Sequence, residues 1–521
     1  MSHLLEFIKE NRNVFIISLF SLVTGIAVNE LNLFAIKKMN PHNNEVNNAS
    51  IYYNQTVFSI DNEYYITPAE NFLKGKGLRR DPPIGNGSYF RRTPGYSLFY
   101  LSFRCFADIP LALQFLKFIQ LSLFTISIYC IYFITYCFNR NKIVALVVAM
   151  LYGFSPFFSS YCYYTITEGL SPFLMIFYLF FLIKGYFEIV QKKRLFFYCI
   201  ASFFIGVGIM TRPIVGIAAI LLPVFLIKEF YVDKNKFKLV KEVVLIGLIP
   251  LLMISAWTFR NYRLTGEIVP LERVYDPETL DRTKPEYEGM LSFVKCWGGG
   301  GEINLYHQPM YYAAIKGDTS NIYVNNMMKI FPEYIVSEVG YARLFNIVKK
   351  QQYAFSLQKE YYDKSIPMPS EYLPVQIEVK TEYEKIVAEY KKNHFFRYWF
   401  VSPFAYFKAM VLHSNTSNLF ILQEQFRDRV ILNFYRYLLL VFHLIIYLTL
   451  FLNIFIIKDH FEKAIFVMLP LLFILFFCVF HREVEQRYML PVLPFMISGL
   501  QYPLQFLCNL PRFRLSSMKA K

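Results

Sequence analysis

Ten mostly apolar stretches recur along this chain, near residues 14–36, 110–138, 142–160, 169–187, 195–211, 213–228, 239–258, 430–457, 463–480 and 488–508. A hydrocarbon core about 30 Å thick is crossed by roughly 18–20 apolar residues in helical form. The stretches therefore predict an all-α polytopic membrane protein, a bundle of about ten transmembrane helices. The split at Arg212-Pro213 between two of them follows from proline, which ends or kinks a helix. With 55% hydrophobic and 19% aromatic residues and a mean hydropathy of +0.33, the chain is excluded from the disordered class and fits an ordinary soluble protein poorly.

The net charge of +16 could suggest nucleic acid, but its placement argues for a membrane. Lys and Arg concentrate in short connections, at 139–142, 191–194, 228–242 and 458–463, and in the tail 512–521. The connection 155–169 has none. Basic loops face the cytoplasm, so this alternation places the N-terminus inside and predicts a multi-pass membrane protein. The first run, from Val14 to about Ile36, is too long for a signal-peptide core and reads as a retained span. The eight cysteines form no CxxC pair. Neither a disulfide framework nor a zinc site follows, although a Cys162–Cys296 bridge outside the membrane is conceivable.

Two segments project outward and are large enough to fold. In the first, 37–109, Thr67-Pro68-Ala69-Glu70 reads as a helix start, with Thr67 at the cap and Glu70 closing a capping box. The short helix Ala69–Lys74 would then stop at Gly75 and Gly77. The second, about 260–430, is polar, rich in Tyr, Lys and Glu, and expected to be mixed in structure. Its glycine run 298–301 lacks the Lys-Ser/Thr of a phosphate loop and reads as a turn. The expected division is an N-terminal transmembrane module 1–258 carrying the first outer loop, an extracytoplasmic segment 259–430, and C-terminal helices with a basic cytoplasmic tail, 431–521.

With this topology the unusual polar residues fall on one face of the bilayer. Asp61 and Glu63 lie in the first outer loop, with Arg91 and Arg92 further along it. Glu168 sits where the 155–169 connection re-enters the membrane, Arg212 at the outer end of a helical hairpin, and Arg260 and Asn261 where a span leaves the membrane. His481, Arg482, Glu483, Glu485 and Arg487 fill the last outer loop. Each has a simpler reading alone: Asp61 as a solvated carboxylate, Arg212 as a snorkelling side chain, Arg260 as a boundary anchor, and Glu483 and Glu485 as partners of Arg482 and Arg487. Glu168 is harder to dismiss, because a carboxylate beside a long apolar span is unfavourable unless it is paired or used. Their common side favours one shared site.

These residues also carry a family resemblance. The pattern Asp61-x-x-x-Tyr65-x-x-x-Ala69, Gly75-Lys76-Gly77 and Arg92-Thr93-Pro94-Gly95-Tyr96 resembles the first loop of the GT-C membrane glycosyltransferases. The nearest kin would be bacterial relatives of protein O-mannosyltransferases and of the aminoarabinose transferase that modifies lipid A. Thr167-Glu168, Thr211-Arg212-Pro213, Trp257-x-x-Arg260-Asn261-Tyr262 with Gly266 and Pro270, and Glu485-Gln486-Arg487-Tyr488-Met489-Leu490-Pro491 follow in order, so the resemblance spans almost the whole chain. It implies a GT-C-like bundle whose outward first loop bears short helices. It also implies transfer of a monosaccharide from a polyprenyl-phosphate donor to an envelope lipid, glycan or protein, with inversion, at the outer face.

In that chemistry Asp61 matches the catalytic aspartate and serves as general base. Glu168 matches the second acidic position, which orients the acceptor, shares a metal or tunes Asp61. Arg92, with Arg91 beside it, matches the basic position before the loop's proline and suits phosphate. Arg212, Arg260 and Arg487 are further phosphate candidates, and Glu63, Tyr65 and Glu485 are possible support. The one cofactor that the acidic positions suggest is a divalent metal ion. Many protein mannosyltransferases have an acidic pair directly after the first span, whereas here Asn62 separates Asp61 from Glu63. Two other readings predict different features. A lipid-linked oligosaccharide ligase or polymerase would share a large loop late in the chain, like 260–430, but lack the early aspartate loop. A transporter or flippase would place charges deep in its spans and break helices at the midplane.

Overall fold

The computed structural model describes residues 11–39, 56, 61–80, 92–232, 236–266, 268–272, 285–298, 303–364, 366, 371–413, 429–456, 461–484 and 486–508. Within them the chain is helical and contains no strand. Seven helices are long and apolar enough to cross a membrane: Arg12–Phe34, Ile109–Asn139, Lys142–Ser159, Thr167–Phe187, Gln191–Thr211, Val240–Leu264 and Val430–Ile456. The other three apolar runs hold shorter or divided helices. Pro213–Leu226 and Ile465–His481 are shorter. The last run is divided into a 3-10 turn, Gln486–Met489, and the helices Leu493–Gly499 and Gln501–Cys508.

The bundle is organised around Ser171–Phe187, in which nearly every side chain is buried. It packs on Gln191–Thr211 and Ile109–Asn139, while Val240–Leu264 keeps most of its apolar surface outward, as a lipid-facing helix does. The first helix, Arg12–Met39, buries Ser18, Ser21, Gly25, Asn29 and Asn32 at intervals of three and four residues. This is one face of a 3.6-residue period. Asn29 donates its amide to the carbonyls of Gly25 at 2.8 Å and Ser159 at 2.7 Å, so a polar group within the bundle meets backbone acceptors.

The segment expected to be mixed is helical throughout its described part, with a second apolar core of its own. Helices Pro285–Val294, Ile303–Ile315, Asn321–Met328, Tyr341–Ser356 and Pro374–Asn393 bury Met290, Phe293, Val324, Leu344, Phe355 and Tyr383 together. Inside, the Glu286 carboxylate accepts from the amides of Gln376 at 3.1 Å and Gln358 at 3.3 Å. Cys296 lies in this core and Cys162 in that of the bundle, and both are free thiols, so the conceivable bridge does not form. Gly298 takes a positive φ of 96° at the turn read from the sequence, and 299–301 lie outside the described residues.

Arg482 joins this module to the bundle. It follows Ile465–His481 in a left-handed conformation (φ 51°), buried at 4% exposure. Its guanidinium donates to the Tyr398 carbonyl at 2.8 Å and lies 3.5 Å from the Tyr398 ring centroid. Lys295 adds an ion pair to Glu483 at 3.1 Å. The module therefore sits at the end of the bundle where Ile465–His481 finishes.

One local expectation is corrected. Thr67 is not a cap but the first residue of the helix Thr67–Leu73, and no side chain caps that start. The preceding residue, Ile66, is already helical because it also ends the turn Asn62–Tyr65, so the chain needs no separate cap. Glu70 is instead drawn to Arg104 Nε, at 2.8 Å, and accepts from the Tyr100 hydroxyl at 2.8 Å, which fastens this helix to Gly95–Arg104. The helix stops as read, at Gly75 and Gly77 with φ of 75° and 81°.

Candidate active site

Antiparallel packing places the start of Thr167–Phe187 beside the end of Gln191–Thr211, so Glu168 and Arg212 meet. Arg212 Nη1 lies 2.8 Å from Glu168 Oε1, with the carboxylate only 3% exposed. Burial of a lone carboxylate is strongly unfavourable, and a guanidinium at this distance offsets it. Thr167 donates its hydroxyl to the other oxygen, Oε2, at 3.1 Å. Arg487, from the 3-10 turn before the last helices, brings Nε to 3.4 Å from the same Glu168 Oε1. Its Nη2 lies 2.7 Å from Asp61 Oδ2. Residues from the first long loop, the middle hairpin and the last connection thus form one chain of charges, Asp61–Arg487–Glu168–Arg212.

The surroundings fix this chain. Tyr65 packs edge-on against Tyr96, with ring centroids 5.5 Å apart. Burial raises the Tyr65 pKa, opposed by the neighbouring Arg92 and reinforced by Glu168, so it stays a neutral phenol at physiological pH. Tyr161 is raised by burial and by Glu168 in the same way. For Arg92, burial works against the charge, but Tyr65, Glu272 and Asp61 outweigh it and its pKa lies above the usual range. Arg92 also lies 5.2 Å from the Tyr64 ring centroid. Tyr488 lies 5.6 Å below the Arg212 guanidinium and stacks on Phe477 at 4.8 Å.

Gln120 holds the loop that carries Glu168. Fully buried in Ile109–Asn139, it donates to the carbonyls of Cys162 at 2.6 Å and Tyr164 at 3.2 Å, and accepts from the Tyr96 hydroxyl at 2.9 Å. Gly95, which opens the helix bearing Tyr96, touches the backbone beneath Arg212. A Cβ there would lie 2.5 Å from the Met210 carbonyl oxygen and 2.6 Å from the Thr211 nitrogen. Backbone atoms cannot move aside as a flexible side chain can, so Gly95→Ala is expected to destabilise by about 1–3 kcal/mol and to displace Arg212. A thermal-unfolding midpoint equal to the wild type would show that this close approach is dispensable.

Not every sequence candidate joins the cluster. Arg260 donates to the Leu78 carbonyl at 2.7 Å and lies 4.5 Å from the Trp257 ring, pinning the stretch after the short helix Thr67–Leu73 to the helix Lys236–Thr265. Asn261 supports that junction through the Val269 carbonyl at 2.8 Å. Glu63 turns outward to Arg80 at 3.2 Å. His481, Arg482 and Glu483 serve the module joint. Arg91 and Glu485 lie outside the described residues. Sequence reasoning missed Gln120, Tyr161 and Glu272, and gave Tyr488 no role beyond its place in the Arg487 motif. A single amide within the apolar run 110–138 was a usable signal for Gln120, and Tyr488 directly follows Arg487.

Among the described residues no group of three or more His, Cys, Asp or Glu is placed to hold a metal. The two acids that would share one are spanned by Arg487.

Fold and site together define an all-α polytopic membrane protein with an acid–arginine cluster at the end of the bundle that carries a helical module. No protein-family model and no curated protein matches the sequence. Among solved structures, it is similar to an archaeal oligosaccharyltransferase, AglB from Archaeoglobus fulgidus, in complex with an inhibitory peptide and a dolichol-phosphate, at a TM-score of 0.47 and 12% identity. The same organism's oligosaccharyltransferase in the apo form gives 0.41 and 11%. These overlays cover 99% and 97% of this chain but 52% of the other in each case, so the chain spans about half the length of the proteins it matches.

Proposed function

We propose that this protein is a plasma-membrane glycosyltransferase that moves a monosaccharide from a polyprenyl-phosphate donor to an envelope lipid, glycan or protein at the outer face, with inversion. The observation that carries this reading is the Asp61–Arg487–Glu168–Arg212 chain, which puts a partly open carboxylate next to guanidinium groups at one end of a membrane bundle.

In the proposed step an acceptor hydroxyl gives its proton to Asp61 as its oxygen bonds to the anomeric carbon. The bond from that carbon to the phosphate oxygen breaks, and its electron pair leaves with the polyprenyl phosphate. Negative charge develops on that phosphate, and guanidiniums already aimed at it stabilise the transition state more than the ground state. Arg487 and Arg212 supply that charge, and Arg92 approaches from the first loop. Glu168 holds two of the three arginines in position.

Two measurements test this reading. Deleting the gene should remove one sugar from an envelope component, detectable by mass spectrometry of lipid and glycan extracts; an unchanged envelope would count against it. Arg92→Ala should weaken apparent donor affinity about tenfold or more, the scale of one charge-assisted contact. An unchanged donor KM would remove Arg92 from the phosphate site.

A further inference from the structure

The geometry points to a competition within the site: Asp61 and the donor phosphate bind the same guanidinium, that of Arg487, so the base is held masked until the donor arrives. The inference rests on the proposed function and deepens it.

Arg487 presents Nη2 to Asp61 at 2.7 Å and Nε to Glu168 at 3.4 Å. Glu168 is anchored from behind by Arg212 and Thr167, so it keeps the Arg487 stem in place when the outer nitrogens change partner. Asp61 and Arg487 are partly open, at 23% and 28% side-chain exposure, whereas Glu168 is enclosed at 3%. An incoming anion therefore meets the Asp61 side of Arg487 first. A phosphate accepts two parallel N–H bonds from one guanidinium and outcompetes a single carboxylate oxygen. The Asp61 oxygen paired at 2.7 Å is occupied by the guanidinium, so an acceptor hydroxyl cannot reach it until Arg487 turns away. Donor binding draws Arg487 away from Asp61, and the order of events becomes donor first, acceptor second.

This makes an unusual demand on affinity. Removing the Asp61 charge should tighten phosphate binding, because Arg487 no longer has to be taken from an anionic partner. Binding of geranylgeranyl phosphate to the purified full-length protein, with geranylgeraniol as the uncharged control, measures it. Asp61→Asn should bind the phosphate about tenfold more tightly, and Arg487→Ala more weakly than the wild type. The double variant should match Arg487→Ala, since the effect of Asp61 acts through Arg487. Equal or weaker phosphate binding by Asp61→Asn would overturn the competition, as would tightening that persists in the double variant or appears with the alcohol. Turnover is read separately. Loss of transfer in Asp61→Asn with unchanged phosphate affinity would leave the base assignment standing and remove only the competition.

Discussion

Asp61→Asn should lower transfer from a polyprenyl-phosphate sugar by about 10²–10⁴-fold, the range associated with a positioned general base. Asparagine keeps the shape of the side chain and can still accept a hydrogen bond from Arg487, but it cannot take the proton from the acceptor hydroxyl. The helical turn Asn62–Tyr65 and the packing of Tyr65 on Tyr96 do not depend on the Asp61 charge, so the variant should remain folded. Reconstituted protein with a lipid-linked sugar donor measures the turnover, and thermal unfolding measures the fold. Transfer near the wild-type rate would remove Asp61 from the chemistry.

The second large effect concerns Arg212. Breaking a buried ion pair from one side leaves the other charge uncompensated, at roughly 3–5 kcal/mol. Glu168 is the enclosed member, so Arg212→Ala should be severe, eased in part by Arg487 Nε on the same oxygen. Glu168→Gln in the Arg212→Ala background should restore much of the lost stability, because it removes the orphaned charge, without restoring transfer. If the double variant were less stable than Arg212→Ala alone, the pair would not be the source of the effect. Recovered transfer in the double variant would show that neither side chain serves the reaction.

The sequence made some of this legible and left some of it hidden, for physical reasons. Apolar run length and basic loops locate helices and their ends, so Asp61, Glu168, Arg212 and Arg487 could be assigned to one side from the sequence. Helix ends do not say which neighbour a long side chain will reach. Arg260 shares that side, yet the Leu78 carbonyl and the Trp257 ring take it from the cluster. Glu63 is near Asp61 in sequence but leaves for Arg80. The Thr67–Glu70 motif fits a local capping rule, and a tertiary partner, Arg104, competed successfully for Glu70. The run count was similarly limited: it measures hydrophobicity, whereas Ile465–His481 and the divided Leu493–Cys508 show how runs of similar composition fold into pieces of different length.

The ion pair between Asp61 and Arg487 also bears on biosynthesis. Its carboxylate is translated in the first long loop and its guanidinium only after the helical module, so a ribosome has made all the intervening helices before the two can meet. A stalled or truncated chain could already be integrated in the bilayer with Asp61 in place, yet it would carry no completed centre. Under the proposed function, competence would then arrive only with Arg487, and copies that stop short of it would be silent with respect to lipid-linked sugars.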